Sequence, residues 1–250
     1  MTTVGNIYEY LDENYHFNTQ ESWDNSGLLC GDISSAVTRC LVTLDVTLDA
    51  VKEAALLGAQ LIISHHPLIF TPVKSIPAGT ALHEAIRGGI AVISAHTCFD
   101  KADGGTNDTL CGLLGFTQTE ISDNGIFRTA QLTSPTTTAK LANHISDALN
   151  TSVRYSMPDK AISRVSVCTG AGGDALYKAA ACGADCLITG EAKYHEFLDA
   201  QAIGLAILAA GHFETEEPAM EALRRRLARD FPEIMFEKFS PAPPISTVMR

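Results

Sequence analysis

The sequence predicts an α/β fold with mixed, largely parallel sheets, and two observations lead to this class. Short apolar runs rich in β-branched residues recur along the 250-residue chain and are typical of buried strands. Between them lie stretches with the apolar spacing of helices, and several of these stretches end at glycine, a frequent residue just past a helix. Strands that alternate with helices in this way form parallel βαβ units.

The first half of the chain is predicted to contain three strands. Near the start, apolar residues with the spacing of one helix face predict a helix; they are Val4, Ile7, Tyr8 and Leu11. The elements that follow are a strand at 39–44, a helix at 47–57, a strand at 60–64, a helix at 80–87, a strand at 90–94 and a helix at 107–114.

The second half repeats the alternation, although no sequence repeat is visible. Its predicted strands lie at 126–132, 153–156, 165–168, 186–189 and 205–209, and its helices at 137–149, 175–181, 195–202 and 216–231. We expect the proline-rich segment 240–244 to be an extended tail. The polar loop 117–125 is the best candidate for a domain seam. The predicted division is therefore one lobe of residues 1–124 with 211–250, which carries the metal site, and a second α/β lobe of residues 125–210.

Composition narrows the class of function. The net charge of −11 disfavours nucleic-acid binding, and the one basic run, residues 224–226, falls in a predicted helix. No signal peptide and no apolar stretch long enough for a membrane span is seen. The seven cysteines are odd in number and form no CxxC pair, which favours buried thiols in a reducing cytoplasm.

Three His/carboxylate clusters follow predicted strands. His65 and His66 come directly after the strand 60–64, and His96 with Asp100 follows 90–94. His212 and Glu216 follow 205–209, four residues apart, so one helix face can present both. Ligands bind beyond the carboxyl ends of strands in open α/β sheets, so the joint occurrence predicts a shared site.

Each cluster alone has a structural explanation. One histidine of the pair could be exposed and idle, Asp100 could belong to a turn, and Glu216 could complement a helix N-terminus. Taken together, imidazole and carboxylate groups suit Zn²⁺, Mn²⁺, Fe²⁺ or Ni²⁺ better than Ca²⁺. The set exceeds what one tetrahedral zinc binds, so it predicts two divalent ions.

Two further segments lie after predicted strands. In segment 189–196 (TGEAKYHE), Glu191 or His195 could act as an acid or base, and Lys193 could hold an anion, but a helix N-terminal turn with surface charges explains them slightly better. The glycine-rich turn 170–173 could offer backbone N–H groups to a phosphate, or could be a tight packing turn, since it lacks the GxGxxG pattern.

At these residues the chain resembles the GTP cyclohydrolase type 2 homologue family, also called the NIF-three-like family. The matching segments are 23–29 (WDNSGLL), 63–70 (ISHHPLIF), 95–100 (AHTCFD), 104–108 (GGTND), 189–195 (TGEAKYH) and 211–216 (GHFETE). The resemblance implies two interlinked α/β lobes and a ring-shaped homohexamer. It also implies a dinuclear metal site with the ligands His65, His66, Asp100, His212 and Glu216, and it leaves His96 nearby.

The leading functional hypothesis is a metal-dependent hydrolase, with ring-opening hydrolysis of the nucleotide GTP as the first candidate. His96, His195 or Glu191 would transfer protons. The rival hypotheses are a two-metal phosphoesterase and a non-enzymatic metal-binding or regulatory protein. A nucleotide-binding module built on the turn 170–173 is the weakest alternative.

Overall fold

The computed structural model describes residues 1–243 and 245, and the chain divides into two compact units. The first unit is Met1–Asp103 with Met220–Pro241, and the second is Gly104–Ala219 with the few described residues after Pro241. The first unit is therefore built from two separate stretches of chain.

These boundaries differ from the expected seams near residues 124 and 210. The reason lies in the helix that begins at Thr106, whose residues Leu110 and Cys111 are buried in the same core as Val165 and Val167 of the second unit. A polar loop can be recognised from the sequence as a candidate domain boundary. The hydrophobic core into which a short helix packs depends on tertiary structure and cannot be recognised in this way.

Eleven strands are present in the described residues. They are β1 (Gly27–Cys30), β2 (Arg39–Thr43), β3 (Leu61–Ser64), β4 (Ala91–Ser94), β5 (Thr119–Ser122), β6 (Phe127–Thr137), β7 (Arg154–Tyr155), β8 (Ala161–Cys168), β9 (Cys186–Thr189), β10 (Ala206–Ala209) and β11 (Met235–Phe239).

Nine α-helices lie between or beside these strands in the described part of the chain. They are α1 (Val4–Tyr15), α2 (Leu48–Leu57), α3 (Ala81–Arg87), α4 (Thr97–Lys101), α5 (Thr106–Leu113), α6 (Thr138–Leu149), α7 (Leu176–Ala181), α8 (Tyr194–Ala202) and α9 (His212–Asp230). Among these helices, none is long and apolar enough to cross a membrane.

The sheet of the first unit has the strand order β1-β4-β3-β2-β11. All its neighbours run parallel except β1, which is antiparallel to β4. In the β3–β4 register Ser64 lies opposite Ser94, so the carboxyl ends of these two buried strands lie side by side. The residues that follow them are therefore neighbours in space.

The sheet of the second unit has the order β5-β6-β8-β9-β10-β7. Its centre, β8-β9-β10, is parallel, and the outer pairs are antiparallel. Cys168 and Ala209 both pair with Thr189, so the three central strands end level. The predicted α/β class with mixed, largely parallel sheets is confirmed.

Local capping explains why several predicted helices form where expected. Thr47 caps α2 by accepting a hydrogen bond from the backbone N–H of Ala50, and Gly58 ends it in the left-handed conformation. Thr80 and Thr137 cap α3 and α6 in the same way.

The structure corrects some element boundaries. The strands β1, β5 and β11 and the short helix α4 were not predicted. Helix α9 begins at His212 rather than at residue 216. Of the predicted tail, residues 240–243 carry no regular secondary structure, and Pro244 lies outside the described residues.

All seven cysteines are free thiols. Cys98 and Cys111 are buried, and burial raises the pKa of each thiol to about 12. Such thiols are poor nucleophiles at neutral pH.

Candidate metal-binding residues

His65 and His66 leave β3 with both rings on one side. Adjacent side chains of a regular strand point to opposite faces, yet these two ring centroids are only 5.0 Å apart. The chain bends here, and the hydroxyl of Ser64 contributes by donating a hydrogen bond to the carbonyl of His66 at 2.9 Å. The bend removes the objection that only one of the two histidines can face a shared site.

His96 completes a group of three imidazoles in the first unit. It follows β4, and its ring centroid lies 5.1 Å from that of His65 and 5.5 Å from that of His66. One ring nitrogen of each of the three lies within 4.8 Å of those of the others. The close spacing makes His96 a candidate ligand, in addition to the proton-transfer role expected from the sequence.

Hydrogen bonds set the tautomer of these three rings. The Nδ1 atom of His65 lies 2.9 Å from the carbonyl oxygen of Ala95, which can only accept. The Nδ1 atoms of His66 and His96 lie 2.7 and 2.8 Å from the carboxylates of Asp45 and Asp24. In each neutral ring the proton is therefore on Nδ1, and Nε2 carries the lone pair that a metal needs.

Asp24, like Asp45, is a supporting residue that the sequence did not predict. Its side chain is fully buried, and it accepts hydrogen bonds from the ring of His96, the backbone N–H of Thr97 at 3.0 Å and the Thr97 hydroxyl. Burial alone would raise the pKa of this carboxyl, but these hydrogen bonds hold the pKa of Asp24 well below its ordinary value. Asp24 is therefore an anion that orients His96. It lies within the matching segment 23–29, but 72 residues separate it from its partner.

Asp100 lies on α4, where it faces His65. One of its carboxylate oxygens is 3.5 Å from Nε2 of His65, whose side chain is fully buried. The short helix α4 thus places the carboxylate of Asp100 beside the histidine cluster. The first unit brings together four of the predicted site residues: His65, His66, His96 and Asp100.

The second unit holds the remaining predicted ligands at the start of α9. Nε2 of His212 lies 3.1 Å from a carboxylate oxygen of the buried Glu216, one helical turn further on. The Nδ1 atom of His212 lies 3.5 Å from the carboxylate of Glu191. This contact is longer than the hydrogen bonds that Asp45 and Asp24 make with His66 and His96, and the Glu191 side chain is half exposed.

Two glycines make room for this pair at the ends of the parallel strands. Gly170 has φ +63°, and a Cβ atom at this position would overlap a carboxylate oxygen of Glu216 and lie 3.2 Å from Nε2 of His212. A Cβ at Gly190 would lie 2.8 Å from the Cα of His212. No motif in the sequence marks Gly170 as a neighbour of Glu216, because the contact joins the turn after β8 to helix α9, far apart in the sequence.

The other predicted residues of the second unit are placed differently. His195 is exposed on α8, and within the described residues no hydrogen bond or ion pair links it to His212 or Glu216. Lys193 and Glu191 line, with Arg154, a pocket of about 470 Å³. A proton-transfer role for His195 and an anion-binding role for Lys193 stay predictions.

The turn 170–173 is a packing turn by its hydrogen bonds. The N–H groups of Gly170 and Gly172 donate to the hydroxyls of Thr215 at 3.2 Å and Thr189 at 3.0 Å. A Cβ at Gly172 would lie 2.6 Å from the sulfur of Cys168. These donors are used inside the fold, which weakens the phosphate-loop alternative.

The donor set of each unit fits a divalent transition metal. The first unit offers imidazoles with Nδ1 held by oxygen acceptors and a carboxylate beside them, and the second offers an imidazole–carboxylate pair on one helical turn. Metal-ligating histidines commonly donate the N–H of their other ring nitrogen to an oxygen acceptor of this kind.

Comparison with known proteins assigns the family. The profile of the family Duf34/NIF3 (NGG1p interacting factor 3) matches residues 2–243. The chain is 35% identical over 244 residues to a Clostridium perfringens protein named GTP cyclohydrolase 1 type 2 homolog, covering 91% of this chain and 93% of that protein. It is 36% identical over 230 residues to a Campylobacter jejuni protein of the same name, covering 90% and 91%.

A solved structure has the same fold. The crystal structure of a Staphylococcus aureus hypothetical protein superposes with a TM-score of 0.92 at 28% identity, covering 98% of this chain and 99% of that chain. The family resemblance seen in the sequence motifs is confirmed: the chain belongs to the Duf34/NIF3 family.

Proposed function

We propose that this protein is a metal-dependent hydrolase that binds two divalent ions per chain. The ligands would be His65, His66 and Asp100 in the first unit and His212 and Glu216 in the second. The observation that carries the proposal is the arrangement of His65, His66 and His96. One ring nitrogen of each lies within 4.8 Å of those of the others, and the hydrogen bonds at Nδ1 direct the Nε2 lone pair of each neutral ring to a metal ion. The family resemblance supports the same ligand set.

The residues around these ligands have distinct parts in the proposed chemistry. When bound, divalent ions lower the pKa of water and polarise an electrophile. Asp45 and Asp24 hold the imidazoles of His66 and His96 in their ligating orientation, and the carboxylate of Glu191 lies 3.5 Å from Nδ1 of His212. His96 is the nearest additional imidazole in the first unit and could bind metal or move a proton.

The lead reaction is ring-opening hydrolysis of GTP, which releases formate. It is tested by measuring formate release from GTP with protein loaded with Zn²⁺, Mn²⁺, Fe²⁺ or Ni²⁺. Turnover that disappears in Glu216→Ala, but not in Glu214→Ala on the same helix, supports the proposal. Absence of formate with every metal would refute GTP hydrolysis.

The same protein separates the rival functions. Turnover of phosphate esters without formate release would make it a two-metal phosphoesterase. Tightly held metal without turnover of either substrate class would favour a metal-binding or regulatory protein, with a coordination sphere closed by protein ligands.

The family resemblance also supports a ring-shaped homohexamer. Light scattering tests the assembly, with an expected mass of six times the 26.7 kDa chain. A monomeric mass at assay concentration would refute the hexamer.

A further inference from the structure

Two exposed aromatic rings lie beside the histidine cluster of the first unit. Trp23 is 56% exposed and Phe70 is 48% exposed, although both are large apolar side chains. Their ring centroids are 5.8 Å apart, and they lie 5.9 and 6.1 Å from the ring of His96. Single exposed apolar residues are common on protein surfaces. Two adjacent rings that both contact a candidate metal ligand are a more specific arrangement.

The backbone beside these rings is held firmly. Asp24, next to Trp23, is buried and bonded to His96 and Thr97. The side chain of Asn25 donates a hydrogen bond to the carbonyl of Ile69, next to Phe70. The turn that carries Trp23 and the segment that carries Phe70 are thus linked to each other and to the histidine cluster.

The orientation of the rings limits what they can bind. Trp23 and Phe70 meet His96 edge to face, at 72° and 74°, and they are tilted by 45° to each other. With centroids 5.8 Å apart, no third ring fits between Trp23 and Phe70. A ligand therefore has to stack on their outward faces, which suits a flat ring and gives a sugar or an aliphatic chain less contact.

We propose that Trp23 and Phe70 form the binding surface for a planar heteroaromatic ring of the substrate and position that ring beside the histidine cluster. This inference rests on the proposed function, which it deepens by assigning the substrate class and the residues that recognise it. Stacking of a base on an aromatic side chain tolerates different bases, so the surface selects for a flat ring more than for one base.

The chain has a single tryptophan, so Trp23 is its own fluorescent reporter. Metal-loaded protein is titrated with guanosine, with GTP and with ribose 5-phosphate while Trp23 emission is recorded. Guanosine and GTP should change the emission in a saturable manner, and ribose 5-phosphate should leave it unchanged.

Variants separate stacking from a general structural effect. Phe70→Leu and Trp23→Leu should each weaken guanosine binding, measured by equilibrium dialysis, by about 5- to 150-fold, the range for one lost stacking partner. Trp23→Phe should restore most of the affinity. Tyr177→Leu, which removes a ring that is 58% exposed on α7, is the matched control and should bind guanosine as the wild type does.

The outcomes distinguish this inference from the proposed function. Bound metal together with unchanged Trp23 emission, or wild-type guanosine binding in both leucine variants, would overturn the aromatic surface. Saturable ring binding without turnover would refute the hydrolase but leave the aromatic surface supported. Guanosine binding lost equally in Tyr177→Leu would also overturn the inference, because the effect would then not be specific to the two rings.

Discussion

Replacing Gly170 by alanine tests the geometry of the second unit most sharply. The new Cβ would overlap a carboxylate oxygen of Glu216 and come within 3.1 Å of its Cδ, whereas ordinary van der Waals contact begins near 3.4 Å. The carboxylate would have to move by roughly 1 Å, and functional constellations tolerate only about 0.5 Å. We expect metal affinity to fall by about 10- to 100-fold, as when the support of a ligand is lost.

Gly183→Ala is the matched control for this change. Gly183 has φ +75°, close to the +63° of Gly170, but a Cβ there would meet no atom within 4 Å. Both variants should lose about 1–2 kcal/mol of unfolding free energy from the left-handed backbone. Only Gly170→Ala should lose metal affinity.

The assay is competition for metal against a chelating dye, with urea unfolding of the metal-free protein to measure stability. If Gly170→Ala and Gly183→Ala bind metal equally well, Glu216 and His212 are not metal ligands in the way proposed. If both variants lose metal affinity in proportion to their loss of stability, the effect is strain alone, and the local explanation fails.

Two other changes test supporting contacts. Asp24→Asn places an amide donor where the backbone N–H and hydroxyl of Thr97 now donate. The free energy of unfolding, measured in urea at pH 7, should therefore fall by about 1.5–3 kcal/mol. A variant as stable as the wild type would contradict the role given to Asp24. Hydrogen bonds from Arg224, and then from Arg225, lower the pKa of Glu221 to about 2 from its ordinary 4.5. A lowered pKa stabilises the fold above pH 4.5, and this contribution is lost as the pH falls towards 2. Glu221→Gln should therefore be less stable than wild type at pH 7 by about 0.2–1 kcal/mol, since the pair is partly exposed, and the difference should shrink at pH 3. A difference that grows on acidification would contradict this assignment.

Much of the fold was accessible from the sequence because its central strands are short, apolar and followed by helices. The strands β3, β4, β9 and β10 were predicted within about one residue at either end. β11 has the pattern apolar-apolar-charged-charged-apolar (MFEKF), which no simple period describes, and it forms by pairing with β2. Its strand state depends on a partner nearly 200 residues earlier.

The candidate ligands could also be predicted, because each follows a strand and its chemistry is visible in the residue type. The support for those ligands could not. Asp24 reaches His96, and Gly170 makes room for Glu216, through contacts that no local pattern records. The bend that turns His65 and His66 to the same side was also undetermined, since Pro67 permits both extended and turn conformations for the residue before it.

The most direct test of the central claim is the number of metal ions bound per chain after purification under metal-replete conditions, measured by elemental analysis. We expect about two ions per wild-type chain, and fewer in His65→Ala and in Glu216→Ala, with Glu214→Ala unchanged. A wild-type content below about one ion per chain, or unchanged content in both ligand variants, would contradict the claim that these histidines and carboxylates bind two metals.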